Sequence, residues 1–353
     1  MGDDDRLYFI RNMEVFEEKG EDLEYWVTEY EVEVDSFFGS LCEYGPYQLV
    51  QWDTSIDAKG RKRSLCLIVK EAVFPDGSKG FKTAHKKGFY HGGGITQELI
   101  ALASLYFRKR LKLLGMVRQN DKPLRIKLPK QRIDEALISG ESHLFKLREW
   151  LEKIRKLEPT YHQSYMFAVN LYCQALNIIE DRPDVAYLNL ISTIETLCQD
   201  TDVGEVKLSD VDSELAKMVG EIKDEDLRNR LEKAICEKEG LIRRKFVKFI
   251  LDHVEGNFWG VSNSYKDGDV RPDELEDLLN KIYKQRSRTL HNGEPFPPYI
   301  FSSPQFGADI PMGEWTVVGE RKWFKEDYIP NPHFFERLVN HVLKVFVERH
   351  QVK

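Results

Sequence analysis

The chain has 353 residues, of which 41% are hydrophobic and 31% charged, with a formal net charge of −7. That balance suits a soluble globular protein of one large domain or two, and it excludes a globally basic nucleic-acid binder; any such surface has to be a local patch. Five widely spaced cysteines (Cys42, Cys66, Cys173, Cys198, Cys236) without a C-x-x-C pair exclude a zinc ribbon and a disulfide scaffold, and read as reduced, buried thiols of a cytoplasmic protein.

Met1-Gly2-Asp3-Asp4-Asp5-Arg6 has neither the basic and apolar regions of a signal peptide nor the Ser or Thr at position 6 of a myristoylation site. No run of 18 apolar residues occurs, so no membrane partner is expected. From Leu23 to Asp35 the chain alternates, with Tyr30, Val32 and Val34 on one face and Glu31 and Glu33 on the other, the pattern of a half-buried strand. Tyr47 to Trp52 and Ser64 to Lys70 read as further strands, and Asp76-Gly77-Ser78 and Lys79-Gly80 as a turn. A three- or four-stranded antiparallel sheet in an α+β domain over residues 1–158 is the expectation.

His91-Gly92-Gly93-Gly94 leads into Thr96, a good helix start, and the apolar run Leu99, Leu102, Ala103, Leu105, Tyr106 predicts a helix to about Leu114. The glycines read as a tight turn, with Gly93 and Gly94 as anion-binding candidates at the helix N-terminus. No G-x-S-x-G elbow accompanies them, which argues against esterase chemistry, and no P-loop motif is present. A basic stretch follows from Arg108 to Arg132, broken by Pro123 and Pro129. It reads as a solvated helix end and loop, with Arg118, Arg125 and Lys127 as candidate RNA-backbone contacts.

From about Ser142 the chain is helical. Glu158-Pro159-Thr160 marks a seam, beyond which helices are expected near 163–180, 183–200, 208–236 (broken near Gly220), 241–254, 272–291 and 332–350. Asn263 to Glu274 has the length of an EF-hand loop, but Tyr265 falls where a ligand oxygen is needed, so it reads as an ordinary loop. The long Pro-rich connection from His291 to Pro332 reads as a functional or covering segment.

Helix 272–291 carries the chemistry. Leu275, Leu278, Leu279, Ile282 and Tyr283 form its apolar stripe. Arg286, four after Ile282 and three after Tyr283, falls on that stripe, where an unpaired guanidinium is costly. Arg288 is rotated away and solvated. Asn292-Gly293 is a C-cap signal that puts His291 in the last turn, where the helix dipole favours its charged form. An arginine to hold a phosphate beside a histidine to move a proton suits phosphodiester chemistry. An R-x4-H spacing alone is common by chance, but Glu195 on helix 183–200 lies seven residues beyond Leu188, on a face where a carboxylate needs a partner, and Arg286 is the candidate. Five residues of helix separate Arg286 from His291 by about 7.5 Å of rise and about 140° of rotation, so the two converge only if the long arginine reaches forward or a second copy of the pair completes the site.

Helix 183–200, with Leu188-Asn189-Leu190-Ile191-Ser192-Thr193-Ile194-Glu195-Thr196-Leu197, resembles the apolar ALE-x-L helix of the HEPN superfamily. Helix 272–291, ending Tyr283-Lys284-Gln285-Arg286-Ser287-Arg288-Thr289-Leu290-His291-Asn292-Gly293, looks like that superfamily's R-x4-6-H helix, and the ApeA-like HEPN group is the nearest variety. The resemblance covers roughly residues 160–350. It implies an all-α HEPN-like helical bundle over 159–353 that dimerises and brings two R-x4-6-H motifs into a shared cleft. Active members are metal-independent endoribonucleases of toxin–antitoxin, abortive-infection and anti-phage systems, and need no cofactor. Carried over, Arg286 and His291 match the motif and Glu195 the acidic position, with Arg288 a candidate RNA contact. RNA, a second copy of the chain, and an antitoxin or trigger protein are the implied partners. Ser287 departs from the Asn, Asp or His that many active members carry after the Arg. Some members are non-catalytic modules that dimerise and bind nucleic acid or protein, and this is the alternative reading.

Overall fold

The computed structural model describes residues 6–20, 23–34, 38–39, 41–51, 64–73, 94–120, 122–123, 142–204, 208–211, 213–235, 241–260, 268–301, 308–313, 315–318 and 321–352. Contacts divide the chain into a unit of Met1–Asn177 with Leu343–Lys353, and a unit of Ile178–Val342. A small antiparallel sheet with helices is followed by a helical region, as the alternating and then 3.6-periodic sequence requires. The Glu158-Pro159-Thr160 seam is the start of a 3-10 turn, Pro159–Tyr161, inside the first unit.

The first unit opens with a helix that the sequence reading omits (α1, Tyr8–Lys19), then β1 (Glu24–Val34), β2 (Phe38–Gly39), β3 (Cys42–Tyr44), β4 (Tyr47–Gln51) and β5 (Ser64–Val73). Next come α2 (Ile95–Phe107), β6 (Leu111–Gln119), β7 (Lys122–Pro123), β8 (Ser142–His143), α3 (Leu147–Arg155) and α4 (His162–Ile178). The main sheet has six strands in the order β3-β4-β5-β1-β6-β7, larger than the three or four expected. Val32 and Val34 are buried as alternation predicts; Glu31 is buried too, flanked across the strands by Cys66 and by Gly115, which offers no side chain.

The helix expected to run to Leu114 stops at Phe107. Arg108 takes a left-handed conformation (φ 52°), its N–H capping Leu105 O, and Leu111–Gln119 becomes a strand. Pairing explains the difference: Leu111 lies opposite Val34 and Leu113 opposite Val32, so tertiary contact overrides the helix-favouring composition of the segment.

Glu98 ties α1 to α2. Its buried carboxylate accepts the N–H groups of Tyr8 (3.0 Å) and Phe9 (2.8 Å), two donors that the first turn of a helix leaves without intrahelical partners. Asn12 then donates to Tyr47 Oη and to Lys70 O, each at 2.9 Å, fixing α1 over the sheet.

His162 begins α4 fully inside the protein, its Nε2–H donating to Leu157 O (2.9 Å) and its Nδ1 without a hydrogen bond. Burial pushes its pKa down to about 4 from 6.5. The unfolded chain therefore takes up a proton below pH 6.5 that the folded protein refuses until about pH 4, so this residue makes stability fall as pH drops through that window. Between pH 7 and pH 5 the wild type should lose about 2 kcal/mol more than His162→Gln, read from denaturant midpoints; equal losses would show that His162 is not the group responsible.

The second unit contains α5 (Pro183–Leu197), α6 (Leu208–Val211), α7 (Ser213–Gly220), α8 (Glu225–Ile235), α9 (Leu241–His253), α10 (Leu275–Asn292), a hairpin of β9 (Trp315–Val318) and β10 (Arg321–Phe324), and α11 (Pro332–Arg349), whose residues from Leu343 onward belong to the first unit. These helices fall where the periodicity puts them, including the break after Gly220. Helices α6 to α8 carry a small core of their own around Leu208 and Val219. The segment after His291 is not a plain loop. Its described residues include a 3-10 turn at Pro298–Phe301, the hairpin, and a second 3-10 turn at Lys325–Asp327. No helix among the described residues is long and apolar enough to cross a membrane.

Candidate functional site

Helix α10 is built as its sequence demands. Pro272 starts a 3-10 turn whose Glu274 carboxylate accepts the Arg271 N–H at 3.2 Å, and Glu276 and Asp277 follow in the first α-helical turn, near the positive end of the helix dipole. Leu275, Leu278, Leu279, Ile282 and Tyr283 are buried. At the far end Gly293 sits at φ 69°, and its N–H reaches Thr289 O at 3.2 Å. Buried Gln285 donates to Thr289 Oγ1 (3.2 Å) and Pro295 O (3.0 Å), pinning the departing chain to the last turns.

Arg286 and Glu195 meet. Arg286 Nη2 lies 3.1 Å from Glu195 Oε2, with the side chains 23% and 15% exposed. The partner the carboxylate needs is the one its helix position points to. Tyr283 completes the group in a way the sequence reading did not foresee: its hydroxyl donates to Glu195 Oε1 at 2.7 Å, and the Arg286 guanidinium carbon stands 5.6 Å from its ring centroid. Burial raises the Tyr283 pKa and the hydrogen bond to Glu195 raises it further, so the phenol is a donor at neutral pH. One carboxylate thus holds a phenol and a guanidinium, and both its oxygens are used. The available signal was register, since Tyr283 precedes Arg286 by three residues on one helix face.

Helix α9 packs behind this group, with the Phe246 and Tyr283 ring centroids 5.2 Å apart. After α5, Gln199 Nε2 donates to Glu195 O at 2.6 Å, and Lys245 donates to Gln199 O. The Cys198 thiol is driven up to about 12 by burial and then by the Glu195 charge, so it is an unreactive thiol. Cys42, Cys66 and Cys173 are likewise unbonded to one another, and Cys236 lies outside the described residues.

His291 is exposed in the last turn of α10, and Arg288 is exposed as its rotation predicts. His291 makes no hydrogen bond or ion pair with another described residue, and among the described residues only the helix they share relates it to Arg286. The remaining candidates stand apart. Arg118, on β6, pairs with Glu29 at 3.4 Å. Gly94 caps α2, but its N–H is taken by Gln97 Oε1 (3.0 Å), and the nearby Glu98 carboxylate is turned to the N–H groups of α1 and would oppose an anion in the same turn. Gly93, Arg125 and Lys127 lie outside the described residues.

The chain matches no protein-family model, and no curated protein or solved structure is significantly similar to it.

Proposed function

We propose that the protein is a metal-independent endoribonuclease of HEPN type, serving in bacterial defence or as a toxin, and acting in the cytoplasm as a homodimer. The observation that carries this reading is the 3.1 Å pairing of Glu195, on α5, with Arg286, on the helix that ends in exposed His291. A guanidinium preset by a carboxylate can stabilise charge on a phosphorane without reorganising as the reaction proceeds. An exposed imidazole can take the proton from the RNA 2′-hydroxyl or give one to the 5′-oxygen that leaves. RNA carries its own nucleophile, so this route ends in a 2′,3′-cyclic phosphate and a 5′-hydroxyl. Because the two side chains diverge by about 140° on one helix, the reading requires a second copy to complete the cleft.

A non-catalytic module that dimerises and binds nucleic acid or a protein partner is the second reading. It is favoured by the same ion pair, since Glu195 already neutralises the charge that would meet the phosphate. The test is cleavage of single-stranded RNA in the presence of excess EDTA. The expected products carry 2′,3′-cyclic phosphate ends. Loss of all cleavage with EDTA, or 3′-hydroxyl products, would overturn the endoribonuclease mechanism, and no cleavage under any condition would favour the second reading.

A further inference from the structure

The hairpin β9–β10 has two unlike faces. Register pairs Phe324 with Trp315, Lys322 with Val317, and Trp323 with Thr316, so Trp315, Val317, Lys322 and Phe324 share one face and Trp323 lies on the other. Trp323 is buried, its ring edge-on to Tyr299 at 6.0 Å. The opposite face is open: Trp315 is 56% exposed, Val317 48% and Phe324 51%. Among its described residues the charge is a cation, with Lys322 Nζ 5.2 Å from the Trp315 ring centroid. Exposed Phe301 ends the 3-10 turn that packs against β9. Scattered apolar residues on a surface need no explanation, but aromatic side chains paired across the two strands on one face of a hairpin mark a place for a ligand.

The chemistry of the face selects among occupants. Half of two aromatic rings and a valine amounts to on the order of 300 Å², well short of the roughly 800 Å² per partner that a stable protein interface buries. Flat rings beside a lysine instead match a polymer of flat bases joined by phosphates, where stacking supplies sequence-tolerant affinity and the cation meets the backbone. We infer that the Trp315–Val317–Lys322–Phe324 face is a stacking platform for single-stranded RNA. This rests on the endoribonuclease reading and gives that enzyme a second, non-catalytic contact with its substrate. The platform is carried by the same chain segment that Gln285 pins to α10 through Pro295, so substrate held there belongs to the unit that holds Arg286 and His291.

The experiment uses full-length protein and a 12-nucleotide 2′-O-methyl oligouridylate, which binds as a single strand but lacks the nucleophile for cleavage. Each stacked base lost should weaken binding by about 10- to 100-fold, so Trp315→Ala/Phe324→Ala is expected to bind at least 10-fold more weakly in fluorescence anisotropy. Its salt dependence should stay that of the wild type, whereas Lys322→Ala should flatten it by about one phosphate contact. The exposed positions let both variants keep the wild-type melting curve, which is recorded alongside. Unchanged binding by the double variant would overturn the platform even if the wild type cleaves RNA. Binding lost in the double variant of a protein that never cleaves would leave the platform standing and remove the nuclease. A double variant that keeps its oligonucleotide affinity but loses self-association in sedimentation, or loses binding to anionic vesicles, would reassign the face to a second copy or to a lipid surface.

Discussion

His291→Ala should lower the rate of RNA cleavage by about 10²- to 10⁴-fold, the range contributed by a positioned general acid or base. Stability should change by no more than about 0.5 kcal/mol, because the imidazole is exposed and forms no hydrogen bond with another described residue. That separation of activity from stability makes the substitution decisive. Arg286→Ala cannot offer it, since removing the guanidinium leaves Glu195 half-buried with only the Tyr283 hydroxyl for company and mixes a folding cost with a catalytic one. Arg286→Lys is the better companion, because it keeps the charge and loses the planar fork. Rates are measured on a labelled single-stranded RNA with EDTA present, and circular dichroism melts are taken on the same preparations. If His291→Ala cuts RNA as fast as the wild type, the proton transfers belong to another group and the mechanism is wrong. If two inactive variants, His291→Ala and Arg286→Lys, recover activity when mixed, the site draws one residue from each copy, as the divergence of the two side chains on one helix requires.

The site was legible in the sequence to the extent that helical arithmetic could reach it. Arg286 had to be paired because Ile282 and Tyr283 put it on the apolar stripe, and Glu195 had to be paired because it repeats the face of Leu188. Those two debts identify each other without any long-range information. Tyr283 escaped because its ring accounts for its place in the stripe, leaving its hydroxyl with no evident duty. In the first unit the strand at Glu24–Val34 showed itself by alternation, whereas Leu111–Gln119, written Leu-Lys-Leu-Leu-Gly-Met-Val-Arg-Gln, has the composition of a helix and is a strand only because β1 offers it a ladder. Its one local clue is Gly115, held at φ 159° beside a bulge in the pairing. The hairpin was hidden by a different competitor. Prolines dominate the reading of 294–330, although Trp-Thr-Val-Val-Gly-Glu-Arg-Lys-Trp-Phe has β-branched and aromatic residues on both sides of a glycine, which is a hairpin signal in its own right.

Substitution of Asp309 should cost the second unit about 3–5 kcal/mol, the penalty for leaving a buried charge without its partner. Asp309 is buried, and its two carboxylate oxygens accept from Arg337 Nη2 at 3.2 and 3.1 Å. His333 Nε2 stands 3.9 Å away, and the Val270 N–H donates to Oδ2 at 3.4 Å. The Arg337 guanidinium carbon lies 5.3 Å from the ring centroids of both Phe258 and Phe334, so the cation is enclosed by apolar rings. Around it the backbone is stitched: Asp309 N–H to Gly268 O at 2.8 Å, Asn331 N–H to Asp309 O at 2.7 Å, and Asn331 Nδ2 to Ala308 O at 2.8 Å. Gly268 admits this approach because a Cβ there would stand 2.6 Å from the Ala308 Cβ. The Asn331 hydrogen bonds clamp the two ends of the segment that carries the hairpin, Ala308–Asp309 on one side and Asn331 on the other, and the ion pair anchors that clamp to α11 through Arg337. Asp309→Asn and Arg337→Met should each shift the denaturant midpoint strongly, and the double variant should lose less than the sum of the two, because it buries no unpaired charge. Strict additivity would show that the two side chains do not act as a pair. The clamp also predicts a functional trace: under native conditions Asp309→Asn should weaken oligonucleotide binding while leaving its salt dependence unchanged, since it loosens the aromatic platform without removing a cation from it.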